Sequence, residues 1–183
     1  MTAFPTLPVG TYNDALTMVG FEQEVRYSEV PADRAMIAYF CALLEDPNPA
    51  YWDPAEADNL WGSLVAPPAM MHVWLMPLPW RPQGADHRYA LAMTVPLPGS
   101  DLINVGVDCT YERHVRVGDV MSVVERLDSV GPEKTTRLGT GHFIVTTATY
   151  RNGAGELVGT LQNTLFRYEP HPAADRVSEG VGA

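Results

Sequence analysis

The segment 46–54, DPNPAYWDP, is where residue types able to do chemistry crowd together. It sets two carboxylates, Asp46 and Asp53, beside the amide of Asn48 and the phenol of Tyr51. Pro47, Pro49 and Pro54 fix φ and remove backbone donors, so the segment must begin as a fixed, irregular loop. A carboxylate and a phenol held this way can orient a water or a carbonyl oxygen. By pattern alone, loop aspartates brace backbone N–H groups more often than they catalyse. Tyr51 reads first as a packing residue with a satisfied hydroxyl.

The rest of the chain offers less. The histidines, at 72, 87, 114, 142 and 171, lack ligand spacing, so no metal site is expected. Cys41 and Cys109 stand in neither a metal nor a redox spacing, which suits a reducing cytoplasm. Gly139-Thr140-Gly141 resembles half a phosphate loop but precedes a strand, not a helix, and so fails its context test. Arg113, His114 and Arg116 form a basic knot, read as exposed strand charge with contact to a ligand phosphate as the alternative. No G-x-S-x-G is present. A net charge of −10 argues against nucleic acid and anionic membrane as partners. No basic stretch with an apolar run opens the sequence, and no apolar stretch reaches the ~18 residues of a membrane span.

The elements that must position the loop follow from periodicity. Residues 1–20 are expected to be irregular. The alternation in 21–27 predicts a half-buried strand with Phe21, Val25 and Tyr27 on one face. From Pro31 a helix is predicted to run to about Asp46, burying Met36, Tyr39, Phe40, Leu43 and Leu44. A short helix is expected over 54–61. Residues 67–76, PPAMMHVWLM, are apolar on every side and predict a buried central helix. Four strands should follow: around 105–111, 120–127, 142–150 and 156–168. The last two form a hairpin in which Asn152-Gly153 supplies the left-handed conformations. The tail 171–183 reads as disordered or linker. This is α+β, an antiparallel sheet wrapped around an apolar helix.

Residues 46–53 resemble the hydratase loop of MaoC-like (R)-specific enoyl-CoA hydratases, D-x-N-P-x-H followed by a second Asp. The segments 36–53, 65–74, 111–119 and 132–159, in that order, resemble the MaoC-type N-terminal dehydratase domain, also called the FAS1-like dehydratase domain. The resemblance covers residues ~20 to 170, a usual single-domain size. It implies one hot-dog domain over 21–170. Within the family the chain is similar to the MaoC-like half of the two-subunit enoyl-CoA hydratases of bacterial steroid side-chain degradation. Some of those halves continue into an OB-type domain.

The resemblance also implies roles. Asp46 matches the family's Asp, but Tyr51 stands where its His should be. A histidine titrates near neutrality, whereas a tyrosine stays protonated. Catalytic relatives carry His-Gly at the start of the central helix, where the Gly N–H polarises the thioester carbonyl. Here Pro67 and Pro68 have no N–H, which leaves that of Ala69. So no catalytic residue is expected in this chain, and Asp46, Asn48, Tyr51, Pro68 and Ala69 are expected to line substrate. The implied ligand is an acyl-CoA, with no resident cofactor or metal. The implied partner is a short catalytic MaoC-like subunit, in a heterodimer or heterotetramer, or a second copy. A self-sufficient hydratase using Asp46, an acyl-CoA-binding scaffold without turnover, and a hot-dog thioesterase stay open as alternatives.

Overall fold

The computed structural model describes residues 6–80, 82 and 89–172. Its sheet follows from strict alternation in the second half of the chain. Along β5 (Gly139–Arg151), Ile144, Thr146, Ala148 and Tyr150 point inward and Val145, Thr147 and Thr149 are more exposed. The Arg26–Tyr27 pair forms β1, followed by β2 (Asp101–Tyr111), β3 (Ser122–Val130), β4 (Lys134–Thr135) and, after β5, β6 (Leu157–Pro170). All pairings are antiparallel, in the order β1-β3-β5-β6-β2, with β4 paired to β5. Register shifts at 104–106 in β2, at 127–129 in β3 and at 157–159 in β6, opposite Tyr150 and Arg151 of β5, interrupt the ladders. Such irregularities add twist and bend, which lets the sheet curl around what lies on its inner face.

The segments between β1 and β2 pack on that face. Helix α2 (Arg34–Leu44) is capped by Asp33, whose carboxylate accepts the Met36 N–H, and ends at Glu45 in the left-handed conformation. It therefore starts three residues after Pro31, where the side-chain cap is available. Its buried residues are Ile37 and Cys41, with Phe40 packed partly against the core. The expected inner face is largely turned outward: Tyr39 is 75% exposed, Leu43 83% and Leu44 61%. This helix is apolar on two sides, and the side with the smaller residues took the core. The half-buried strand expected at 21–27 is likewise corrected, since Phe21, Val25 and Tyr27 are all exposed and only Arg26–Tyr27 pairs as a strand.

The expected central helix is also corrected. Residues 67–76 form two single 3₁₀ turns, Pro68–Met70 and Val73–Leu75. Pro67 and Pro68 supply no N–H and Pro77 forces extended backbone at Met76. Too little chain lies between them to repay helix nucleation. Met70, Met71, Trp74 and Leu75 are still buried, as the apolar pattern requires, while Met76 is exposed. The hairpin turn differs as well. Gly155 takes positive φ, and the Asn152 side chain accepts the N–H groups of Ala154 and Glu156. The N-terminal segment is corrected too: within residues 6–20 it holds α1 (Tyr12–Thr17), opened by a Thr11–Asp14 capping box, and Ala15 is fully buried.

Two apolar clusters occupy the inner face. One joins α2, the 3₁₀ turns and the β3–β5–β6 end around Trp74, Met121, Val123, Ala148 and Tyr150. The other joins α1 and a further 3₁₀ turn, Leu91–Thr94, to Leu127, Val130 and Ile144. Of the tail, only 171–172 lie within the described residues.

Candidate substrate site and family

The loop is built by capping. Asp46 Oδ1 accepts the Asn48 N–H at 3.0 Å, and Asn48 Oδ1 accepts the Ala50 N–H at 3.1 Å. These bonds open a one-turn helix, α3 (Pro49–Trp52), with proline at its first position. The irregular loop expected here is thus one Asx turn and one helical turn. Asp53 closes α3 and caps α4 (Pro54–Trp61), accepting the Ala55 N–H at 2.8 Å. The Trp52 indole N–H donates to the Asp46 carbonyl at 2.7 Å.

Asp46, Asn48 and Tyr51 are brought together. Asp46 and Tyr51 are half-buried and Asn48 is exposed. Tyr51 packs on the cluster that holds Met70 and Met71. Burial pushes its phenol above the ordinary value, the Asp46 carboxylate and Cys41 add to this, and Asn48 pulls the other way. Its hydroxyl therefore remains a proton donor at neutral pH. Pro68 and Ala69 sit exposed at the start of the first 3₁₀ turn, which has no side-chain cap, so the Ala69 N–H faces no capping group.

The other sequence candidates have structural occupations. Arg113 pairs with Glu156 at 3.2 Å, Arg116 donates to the Trp61 carbonyl at 3.2 Å, and His114 lies against the Trp61 ring at 4.1 Å. His142 is buried, with Nδ1 donating to the Gly131 carbonyl at 3.0 Å and its ring stacked on Tyr12. Gly141 lets β5 and β6 approach closely: a Cβ there would stand 2.0 Å from the Arg167 carbonyl oxygen. Among the described residues no group of three or more His, Cys, Asp and Glu could hold a metal. No described helix is long and apolar enough to cross a membrane.

One set of residues went unnoticed in the sequence. Between the two apolar clusters lies a cavity of about 590 Å³, lined by Arg26, Tyr89, Val123, Glu125, Ala148 and Tyr150 among others. Glu125 occupies an inward position of β3 between buried Val123 and Leu127. Its carboxylate accepts the Leu91 N–H at 2.9 Å and the Thr146 hydroxyl at 3.1 Å. The alternation Val123, Glu125, Leu127 already carried that signal. None of Asp46, Asn48, Tyr51, Pro68 or Ala69 lines this cavity.

Comparisons agree with the architecture. The chain is 32% identical over 154 residues to a probable enoyl-CoA hydratase alpha subunit of Thermomonospora curvata, covering 80% of this chain and 48% of that protein. It is 30% identical over 160 residues to the 3-oxo-4,17-pregnadiene-20-carboxyl-CoA hydratase alpha subunit of Mycobacterium tuberculosis, covering 85% of this chain and 51% of that protein. It thus spans about half the length of these relatives. In structure it resembles a chain of the ChsH1-ChsH2 complex from Mycobacterium tuberculosis, with TM-score 0.70 and 24% identity over 88% of this chain and 93% of that one. It also resembles the R-hydratase PhaJ1 from Pseudomonas aeruginosa, with TM-score 0.56 and 18% identity over 90% of this chain and 92% of that one. These likenesses show the fold, a hot-dog. The model of the FAS1-like dehydratase domain region matches residues 17–161. The chain belongs to the FAS1-like, MaoC-like dehydratase domain family.

Proposed function

We propose that this chain is the substrate-holding half of a MaoC-type enoyl-CoA hydratase, paired with a short hot-dog subunit that supplies the acid–base groups. One observation carries the reading. The family loop holds Asp46 bracing the Asn48 N–H, and Tyr51, whose phenol burial keeps protonated, at the position where the family has a histidine. Pro67 and Pro68 remove the first donors at the turn where a thioester carbonyl would be polarised. Asp46, Asn48, Tyr51, Pro68 and Ala69 then contribute shape and single hydrogen bonds to a thioester whose chemistry occurs on the partner. The names of the two relatives, each an alpha subunit of a CoA-thioester hydratase, support this. The Mycobacterium tuberculosis relative supports a bulky steroid side-chain acyl group.

The partner reading has its own support. The exposed face of α2, with Tyr39, Leu43 and Leu44, is more apolar than a solvated helix face requires. The edge strand β2 likewise exposes Ile103, Val105, Val107 and Tyr111. Adding water across an enoyl thioester is acid–base chemistry, so we assign no resident metal or organic cofactor, and place the complex in the cytoplasm. The test is initial-rate hydration of an enoyl-CoA by the chain alone and by the chain co-purified with a short MaoC-like subunit. Turnover by the pair only is expected. Turnover by the isolated chain would make Asp46 a working base. Ligand binding without turnover in either case would make the chain a scaffold.

A further inference from the structure

The cavity between the two clusters is not uniformly apolar. Arg26, Val123 and Tyr150 are directly opposite one another on β1, β3 and β5 and line the same wall. The Nε of Arg26 is buried and has no hydrogen-bond partner. A buried donor left unmade is costly, and the group that removes the cost is an acceptor oxygen. Tyr150 is 6% exposed. Its phenol is pushed up to about 12, by burial first and the Glu125 carboxylate second, while Arg26 pulls the other way, which sets all three polar groups within electrostatic reach of one another. The Glu125 carboxylate is already occupied by Leu91 and Thr146, so it does not meet the unpartnered Arg26 Nε–H. Val123 and Ala148 make the wall between them apolar. A volume of about 590 Å³ is within the range of small-molecule sites.

We propose that this cavity receives the acyl portion of the thioester, and that Arg26 Nε–H and the Tyr150 hydroxyl donate to an oxygen, ketone or hydroxyl, carried on that acyl group. This rests on the acyl-CoA reading above and adds a specificity to it: an acyl group of the same size without the oxygen leaves both donors unpaired. Sites that recognise an oxygen this way reject the analogue lacking it, because the buried groups are stranded.

The experiment is a binding titration of the complex with two probes, a saturated bicyclic (decalin) propanoyl-CoA and its ring-ketone counterpart. The intact protein should bind the ketone about tenfold more tightly or better. Arg26→Met and Tyr150→Phe should each bring the two affinities to within about twofold, by weakening the ketone and not the hydrocarbon. The thermal midpoint of each variant shows that it is folded, and the preference of the intact protein depends on neither. Equal binding of both probes by the intact protein, or equal losses for both probes in the variants, overturns the oxygen recognition and leaves the acyl-CoA reading standing. Binding of neither probe overturns both.

Discussion

Glu125 on β3 accepts the hydroxyl of Thr146 on β5 at 3.1 Å, across the inner face of the sheet and between two apolar clusters. Its other oxygen takes the Leu91 N–H, so one carboxylate ties the third 3₁₀ turn, Leu91–Thr94, to the sheet. Glu125→Ala should strand a backbone N–H and a hydroxyl in a half-buried place. The expected cost is about 1–3 kcal/mol by urea unfolding. Glu125→Gln, which keeps an acceptor, should lose less. Equal stability of the alanine variant and the intact chain would mean that water replaces the carboxylate without penalty.

Tyr150 gives a pH dependence with a defined sign. Its folded-state pKa is raised from 10.0 to about 12, chiefly by burial. The neutral phenol is therefore favoured in the folded state. That contribution is fully present below pH ~10 and is lost as pH rises through ~12, at about 1.4 kcal/mol per pH unit. The difference in unfolding free energy between the intact chain and Tyr150→Phe should slope across this alkaline window and stay flat from pH 6 to 9. A flat difference throughout would place the phenol in contact with solvent.

The loop predicts a small kinetic effect. Removal of a positioned acid or base costs about 10²–10⁴-fold in rate. Asp46→Asn in the assembled complex should cost less than about tenfold, because the carboxylate braces the Asn48 N–H. Stability should fall by about 1 kcal/mol. Tyr51→His alone should not give the isolated chain activity, since Pro67 and Pro68 still lack donors. A hundredfold loss on Asp46→Asn with assembly intact would make this loop a working site.

The exposed face of α2 predicts where association fails. Leu43→Glu and Tyr39→Glu remove apolar surface that is 83% and 75% exposed in the single chain. Stability of the isolated chain should change by no more than about 0.5 kcal/mol. The fraction of chain that co-elutes with its partner in light scattering should collapse. Undisturbed co-elution would move the interface to the β2 edge.

These cases show where sequence reasoning reached and where it stopped. Alternation placed the later strands well; in β3, β5 and β6 the apolar face is buried in the chain itself, whereas in β2 the same pattern lies on an exposed edge. The hydratase loop was legible from its prolines and its Asp-Asn spacing. Helix α2 was read with the wrong face inward, since Met36, Tyr39, Leu43 and Leu44 recur at helical spacing as a core face would. Periodicity shows that a face is apolar but not what covers it. The central helix was overread for a related reason. Burial of Met70 and Trp74 was correct, but the flanking prolines prevented regular hydrogen bonding. The cavity was missed because Arg26, Glu125 and Tyr150 are far apart in the chain and meet only through register.

Arg167 adds a boundary to this picture. Its buried guanidinium donates to the carbonyls of Gly99, Leu97 and Pro8, so the first described residues are clasped by the last strand. The family likeness begins at residue 17, yet the physical unit begins earlier. A chain begun at residue 21 would lose an acceptor for an already under-bonded buried cation and uncover the pocket filled by Ala15. The segment at Pro8 and strand β6 at Arg167 are therefore one mechanical assembly, and removal of either should loosen the other.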